Sequence, residues 1–167
     1  LLSLSHVLSR SQQTPELDLD LLPQHSDGII MLSGCRRGEI PRLLTEGRHT
    51  EAQHAARRYA EYFGVDRFFI EMQHNLVNGD IRRNIKLATL ARHLGLGIVA
   101  SNNVHYHVRQ SHQLHDCLIS IRERKSLEET HRERRANSEF FLKSPLEMYT
   151  LFQEWPDAIQ NTVQIAE

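Results

Sequence analysis

The chain has 167 residues, of which 40% are hydrophobic and 25% charged, as is usual for a globular domain with a buried core. Its net charge is −1, so overall charge does not attract it to nucleic acid, and no apolar run approaches the roughly 18 residues that span a bilayer. Two cysteines, Cys35 and Cys117, cannot build a disulfide framework, which predicts a reducing cytoplasm.

The first thirty residues predict a helix, a shorter helix and a strand. Apolar residues fall on one helical stripe within residues 1–11, and residues 19–22 lead into a short helix that ends near Gly28. The apolar run over 29–32 has the length of a buried strand. Because there is no initiator Met, and because the opening is too short for a signal peptide, we expect the numbering to start inside a longer chain.

Two helices and a second strand are predicted next. The first helix covers 39–45 and tolerates Pro41 in its first turn. Thr50 and Gln53 have the spacing of a capping box, which predicts that a second helix begins after Thr50 and continues to Phe63. Residues 68–70 form another short apolar run, which predicts a strand.

The pattern then repeats with a helix capped by Asp80 and a strand over 98–100. One face of this helix is predicted to carry Ile81, Ile85, Ala88, Ala91 and Leu94. The three predicted strands are apolar on both faces and are separated by helices, which indicates a parallel α/β sheet or barrel.

Beyond residue 101 the pattern is mainly helical. We predict helices over 113–124, from 145 with Met148, Leu151 and Phe152 facing inward, and from Asp157 onward, with an edge strand over 139–142. A capping box at Ser144 begins the second of these helices. Residues 122–135 alternate basic and acidic side chains, which favours a solvated surface over a DNA-contacting patch.

Polar groups follow each of the three predicted strands. In parallel α/β folds such positions meet at one edge of the sheet, where sites form. A cysteine, a glutamate and two histidines at one edge suit zinc or a similar divalent ion, although singly each is more typical of a core cysteine or a loop histidine. The candidates are Cys35, then Glu71, Gln73 and His74, then Asn103 and His105.

Several catalytic motifs are absent from this sequence. It contains no glycine-rich phosphate loop, no G-x-S-x-G motif and no convincing carboxylate pair for magnesium, since Asp18 and Asp20 follow no predicted strand. We therefore assign no catalytic residue within these 167 residues.

Four stretches carry a resemblance to bacterial DNA polymerase III alpha subunits. Residues 28–40 (GIIMLSGCRRGEI) resemble the family's "GLIxLSGCxxGE", and residues 69–73 (FIEMQ) resemble "YLELQ". Residues 99–106 (VASNNVHY) resemble "VATNDVHY", and residues 140–148 (FFLKSPLEM) resemble "EFYLKSPEEM". The four stretches occur in the family's order and cover nearly the whole chain.

The resemblance implies a fold and a domain division. Residues 1–125 would be the C-terminal part of a polymerase-and-histidinol-phosphatase (PHP) domain, which is a distorted seven-stranded α/β barrel with parallel strands. Residues 126–167 would begin a mainly helical connector toward the polymerase palm. The family's first metal motifs would then precede residue 1, and its catalytic aspartates would follow residue 167.

The resemblance also implies roles for individual residues. Cys35 matches a metal-ligand cysteine, and His105 matches the histidine of the family's D-x-H motif, whose aspartate is replaced by Asn103. A neutral amide oxygen is a weaker ligand than a carboxylate, so the implied site for zinc or another divalent metal is weakened. Glu71, Gln73 and His74 are assigned to the lining of the site by position alone.

The implied function is that of a DNA-directed DNA polymerase of the error-prone, damage-induced type, in which the PHP part serves as a scaffold. Its implied partners are DNA, deoxynucleotides and other replication or mutagenesis proteins, with no membrane, and magnesium would serve a polymerase core outside these residues. One alternative is a metal-dependent PHP phosphoesterase or 3′–5′ exonuclease module, and another is a scaffold that has lost metal altogether.

Overall fold

The computed structural model describes residue 7 and residues 18–167, and in this part of the chain three short parallel strands form one sheet. The strands are β1 (Met31–Leu32), β2 (Phe68–Gln73) and β3 (Gly97–Ser101). They pair in the order β1-β2-β3, with all pairs parallel. This confirms the predicted parallel α/β arrangement, while the helix predicted over 1–11 lies, apart from residue 7, outside the described residues.

All three strands differ in length from the prediction, and β3 extends one residue further at each end, to Gly97 and Ser101. β1 is two residues shorter, because Ile29 and Ile30 are exposed and the Ile29 N–H donates to the Ser26 carbonyl within a turn. β2 is three residues longer, because its polar end continues to pair with β3 as far as Gln73 beside Ser101. Apolar runs therefore marked the strands but not their ends.

Within the described residues, six α-helices connect and cover the strands. Short 3₁₀ turns occupy Leu19–Leu21, Pro23–His25 and Arg109–Ser111. The helix ranges agree with the prediction to within about two residues, and the capping box at Ser144 is formed in both directions. The helices are α1 (Glu39–Thr45), α2 (His49–Phe63), α3 (Asp80–Leu94), α4 (His112–Glu123), α5 (Pro145–Leu151) and α6 (Pro156–Ala166).

The predicted capping box at Thr50 is wrong. α2 begins at His49, and Arg48 occupies the cap position without a side-chain hydrogen bond to the helix backbone. The Arg48 guanidinium instead binds the Glu51 carboxylate, with 2.7 Å between Nε and Oε1. An ion pair in the first turn thus takes the place of the predicted hydroxyl cap.

The predicted inward face of α3 is also partly wrong. Ile81 and Ile85 are 54% and 51% exposed, whereas Asn84 and Leu87 are buried. The Asn84 amide donates to the Gln73 carbonyl at the end of β2, at 3.2 Å. This bond and the packing of Leu87 rotate the buried face away from the two isoleucines, which a pattern of apolar residues alone does not reveal.

The edge strand predicted over 139–142 is reduced to one isolated bridge between Tyr106 and Phe141. Backbone N–H groups of His105 and Tyr106 donate to the Phe140 carbonyl, and Leu142 N–H donates to the Tyr106 carbonyl. The pairing is thus confined to the segment that follows β3.

The main core lies between the sheet and the helices, and it includes residues from the last part of the chain. Phe68, Ile70 and Met72 of β2 are fully buried, and so are Phe152 and Ala158. α6 packs against β3, where the Asn161 amide donates to the Ile98 carbonyl at 2.8 Å. Residues 145–166 therefore share a core with the strands, and the boundary between 125 and 126 stays a prediction.

A close approach at the start of β3 depends on a glycine. A Cβ atom at Gly97 would lie 2.7 Å from the Phe69 ring of β2, well inside van der Waals contact. Any larger residue there would have to displace a ring that is itself buried.

In the part of the chain that the structure describes, no helix has both the length and the apolar character that crossing a bilayer requires.

We expect Phe152→Ala to lower the free energy of unfolding by about 3–5 kcal/mol, because the substitution leaves a cavity in the shared core. Leu146→Ala, on the short helix α5 that ends just before Phe152, is the control. Its side chain is 74% exposed, so the change should stay within about 0.5 kcal/mol. Chemical denaturation of the chain measures both. Equal effects of the two substitutions would show that Phe152 does not join residues 145–166 to the core.

Candidate functional site

The carboxyl ends of the three strands lie side by side. Because β1, β2 and β3 are neighbouring and parallel, the loops that follow Leu32, Gln73 and Ser101 leave the same edge of the sheet. The candidate residues from the sequence stand in or beside these loops. The strand ends therefore lie at one edge of the sheet, as predicted.

Glu71 is bound by its neighbours within the sheet. Its backbone N–H donates to Ser33 Oγ at 2.9 Å, which joins β2 to the end of β1. Its carboxylate accepts from Gln73 Nε2 at 2.9 Å and, through a short hydrogen bond, from Ser101 Oγ of β3. Glu71 and Gln73 thus hold the strand ends together, and much of the carboxylate's capacity as a ligand is already used.

The loop after β1 is tightly folded and carries two exposed arginines. The Gly38 N–H donates to the Cys35 carbonyl at 2.7 Å, and a Cβ at Gly38 would lie only 2.7 Å from the Ser33 carbonyl oxygen. Only glycine therefore closes this turn without a backbone clash. Cys35 is partly buried in the turn, and Arg36 and Arg37 lie exposed at its tip.

Asn103 and His105 contact each other after β3, and an arginine contacts the histidine. Asn103 Oδ1 lies 3.1 Å from His105 Nε2, and Arg135 Nη2 lies 3.4 Å from His105 Nδ1. The Arg135 guanidinium also stacks over the Phe140 ring, 5.3 Å from its centroid. Arg135 was not a candidate from the sequence, because charge pattern alone placed it on a solvated surface.

These contacts assign the state of the His105 ring. A guanidinium can only donate, so Nδ1 accepts, and Nε2 must then carry the proton that it donates to Asn103. The ring is therefore neutral in this arrangement. Burial lowers the pKa of His105, and the nearby charges of Arg135 and His115 lower it further.

His74 does not join this group. Its Nδ1 lies 3.4 Å from the Leu151 carbonyl oxygen, and its ring meets the Phe152 ring edge-on with centroids 6.3 Å apart. The side chain thus faces the end of α5 and packs there. The assignment of His74 as a site-lining residue finds no support in these contacts.

A network of amides fixes the loops behind the site. The Asn75 side chain donates to Asn102 Oδ1 through a short bond and to the Glu139 carbonyl at 3.0 Å. Backbone N–H groups of Asn75 and Val77 both donate to Asp80 Oδ2. Segments after β2, after β3 and before α5 are thereby held in one arrangement. Asp80 was predicted to cap α3, but Gly79 occupies the cap position and the Asp80 carboxylate binds the preceding loop instead. The amide contacts were not predicted, because their partners lie as many as 64 residues apart.

A small cationic cavity opens next to Asn103. It has a volume of about 230 Å³ and its lining includes Asn103, Gln73, Phe140 and two acidic residues, Asp80 and Glu133. Six arginines also line it, namely Arg36, Arg37, Arg83, Arg132, Arg134 and Arg135. Positive charge therefore dominates the walls.

The described donor set does not fit a divalent metal. Cys35 and His105 supply two good ligands, whereas zinc sites use three or four. Both ring nitrogens of His105 are engaged, one of them by the cation Arg135. Among residues 18–167, no three or more His, Cys, Asp or Glu side chains are grouped as a metal site would require. Whether Cys35 directly approaches His105 stays a prediction.

Comparison with known proteins agrees with this architecture. A family profile described as "PHP domain" matches residues 1–75. An error-prone DNA polymerase of Symbiobacterium thermophilum is 42% identical over 153 residues, which are 92% of this chain and 14% of that protein. The DNA polymerase III subunit alpha of Treponema pallidum is 39% identical over 153 residues, again 92% of this chain and 13% of that protein.

Residues 1–75 thus match the PHP-domain model, and most of the chain is similar to a segment of these bacterial DNA polymerases. A third relative, the DNA polymerase III subunit alpha of Thermus aquaticus, is 36% identical over 157 residues, and it too is matched over 13% of its length. The chain thus spans only about one seventh of the relatives that it matches. These similarities confirm the resemblance carried by the four sequence stretches.

Replacing Arg135 should change the titration of His105. In Arg135→Met we expect the pKa of His105 to rise toward its ordinary value of about 6.5, because a neighbouring positive charge is removed. NMR titration of the histidine ring protons measures this, with Arg57→Met, an exposed arginine on α2, as the control.

The same shift links pH to stability. Since the folded chain depresses the pKa of His105, the unfolded chain binds the proton more readily. The contribution of the neutral ring to stability is therefore fully present above about pH 6.5 and is lost as the pH falls through the depressed value. An unchanged His105 pKa in Arg135→Met would show that the guanidinium does not act on the ring.

Proposed function

We propose that this chain is a scaffold segment of a DNA-directed DNA polymerase of the error-prone type, in which the metal site of the PHP domain is degraded. The observation that carries the proposal is the 42% identity to an error-prone DNA polymerase over 92% of the chain. The activity itself, with DNA and deoxynucleotides as partners and magnesium as the cofactor, would belong to parts of the protein outside these residues.

The packing of the last two helices supports a scaffold role. Phe152 and Ala158 are fully buried in the core that the strands begin, and α6 packs on β3. A segment that leads from a PHP domain toward a polymerase core would need such a rigid connection. A flexible linker would not fix the position of one domain relative to the other. In this proposal the remaining strands of a seven-stranded barrel come from residues outside 18–167.

The chemistry of the strand ends favours a scaffold over a hydrolase. Metal-assisted hydrolysis needs ligands that hold an ion with an open position for water. Here Asn103 replaces a carboxylate of the family motif, and Arg135 places a positive charge against the ring of His105. Both features weaken cation binding at the position where a PHP phosphoesterase would need it.

Primer extension tests the polymerase assignment. We expect the full-length protein to extend a primer on a DNA template with magnesium, and the 167-residue chain alone to show no extension, because transfer requires paired carboxylates that hold the metal ions. Gel-resolved extension products measure this. Extension by the purified chain, after contaminating polymerase has been removed, would contradict the assignment of catalysis to other parts of the protein.

A double substitution tests the scaffold role. In the full-length protein, Cys35→Ser/His105→Gln should leave the rate of primer extension within about twofold, since neither side chain takes part in transfer. Phe152→Ala serves as the comparison, and it should lower the melting temperature because it opens the shared core.

The hydrolase alternative has its own readout in the same samples. Release of phosphate from a phosphate ester, or of nucleotides from a 3′ end, would be measured with and without a chelator. A metal-dependent activity of this kind that disappears in Cys35→Ser/His105→Gln would overturn the scaffold proposal. The alternative function would then be established instead.

A further inference from the structure

The arginines around the cavity fall into two groups. Arg83 is paired with Asp80 at 2.6 Å and Arg134 with Asp116 at 2.9 Å, while the lining Glu133 is taken by Lys125 at 3.0 Å. The other four, Arg36, Arg37, Arg132 and Arg135, have no carboxylate within 4.0 Å among the residues that the structure describes. Both lining carboxylates are therefore already neutralised, and four positive charges face the cavity uncompensated.

Some hydrogen-bond donors that line the cavity are also unpaired among the described residues. Arg135 Nε is buried without a hydrogen-bond partner in the described part of the chain. Asn103 accepts from His105 through Oδ1, so its Nδ2 hydrogens are not needed for that contact. Guanidinium and amide groups of this kind match the oxygens of a phosphate group, and arginine binds them in a bidentate way.

The like charges make an anion favourable at this place. Arg36 and Arg37 from the loop after β1 line the same small cavity as Arg135, so three guanidinium groups from distant parts of the chain surround one space. Bringing guanidinium groups together costs free energy that a bound anion recovers. A cavity of about 230 Å³ is smaller than the 300–1,000 Å³ that is usual for drug-sized ligands, so it suits a small anionic group.

We propose that this cavity is a metal-independent phosphate-binding site formed by Arg36, Arg37, Arg132 and Arg135 with the amide of Asn103. The replacement of the motif's aspartate by Asn103 is then more than the loss of a ligand, because a carboxylate there would repel the phosphate. The site does not depend on the polymerase role proposed above. Its ligand is the phosphate group, whether free or part of DNA.

Calorimetric titration of the full-length protein tests the site. Inorganic phosphate and pyrophosphate are titrated in the presence of a chelator at fixed ionic strength, and we expect both to bind. Arg36→Gln/Arg37→Gln should weaken binding by about tenfold or more, as expected for lost charge-assisted hydrogen bonds. These two side chains are exposed and make no hydrogen bond or ion pair with the described residues, so the fold should tolerate the change.

A matched control separates the site from general charge. Arg57→Gln/Arg82→Gln removes the same two charges from exposed positions on α2 and α3, outside the cavity lining, and should leave affinity unchanged. Asn103→Asp should weaken phosphate binding by about tenfold, because it adds a like charge beside the ligand. A metal site would respond in the opposite direction, since a carboxylate there would raise cation affinity.

Oligonucleotides with and without a terminal phosphate distinguish the two sources of the ligand. If Arg36→Gln/Arg37→Gln weakens the binding of an unphosphorylated duplex as much as it weakens phosphate binding, the ligand is the DNA backbone. If the substitutions weaken the binding of the free anions alone, the ligand is a small phosphate. Either pattern supports the site. No binding in the presence of chelator, or equal weakening in the Arg57→Gln/Arg82→Gln control, would overturn it.

Discussion

The parallel pairing of β2 with both of its neighbours is the constraint on which the rest of the structure depends. It places three loops at one edge of the sheet, and the Glu71 carboxylate fixes that edge by accepting from Gln73 and Ser101. The buried side chains of Phe68, Ile70 and Met72 keep β2 in the centre of the core. This arrangement brings together the residues that line one cavity, among them Arg36, Asn103 and Arg135.

The sequence predicted the parts of the fold that depend on local pattern. Apolar runs located all three strands, and the Ser144 capping box located the start of α5 correctly. The inward face of α3 was misassigned because a buried amide, Asn84, is satisfied by the Gln73 carbonyl. A polar residue gives no apolar signal, so its burial is decided by a partner that only the tertiary structure supplies.

The site was predicted only in outline for a similar reason. Family motifs marked Cys35, Asn103 and His105, and the strand ends predicted the shared edge of the sheet. Arg135 was missed because it lies among alternating charges, where the pattern does not say which cation turns inward. Its place is set by stacking on Phe140 and by contact with His105, thirty residues earlier in the chain.

The burial of Phe152 and Ala158 beside the strands also bears on how the protein acquires its structure during synthesis. The main core begins near Leu22, yet it is complete only when a helix more than a hundred residues later packs on β3. Contacts so distant along the chain slow folding, because a long loop must close before they form. On the ribosome, the part of the core that Phe152 and Ala158 complete therefore stays exposed until residue 158 has emerged, which lengthens the interval in which apolar surface can associate with other chains.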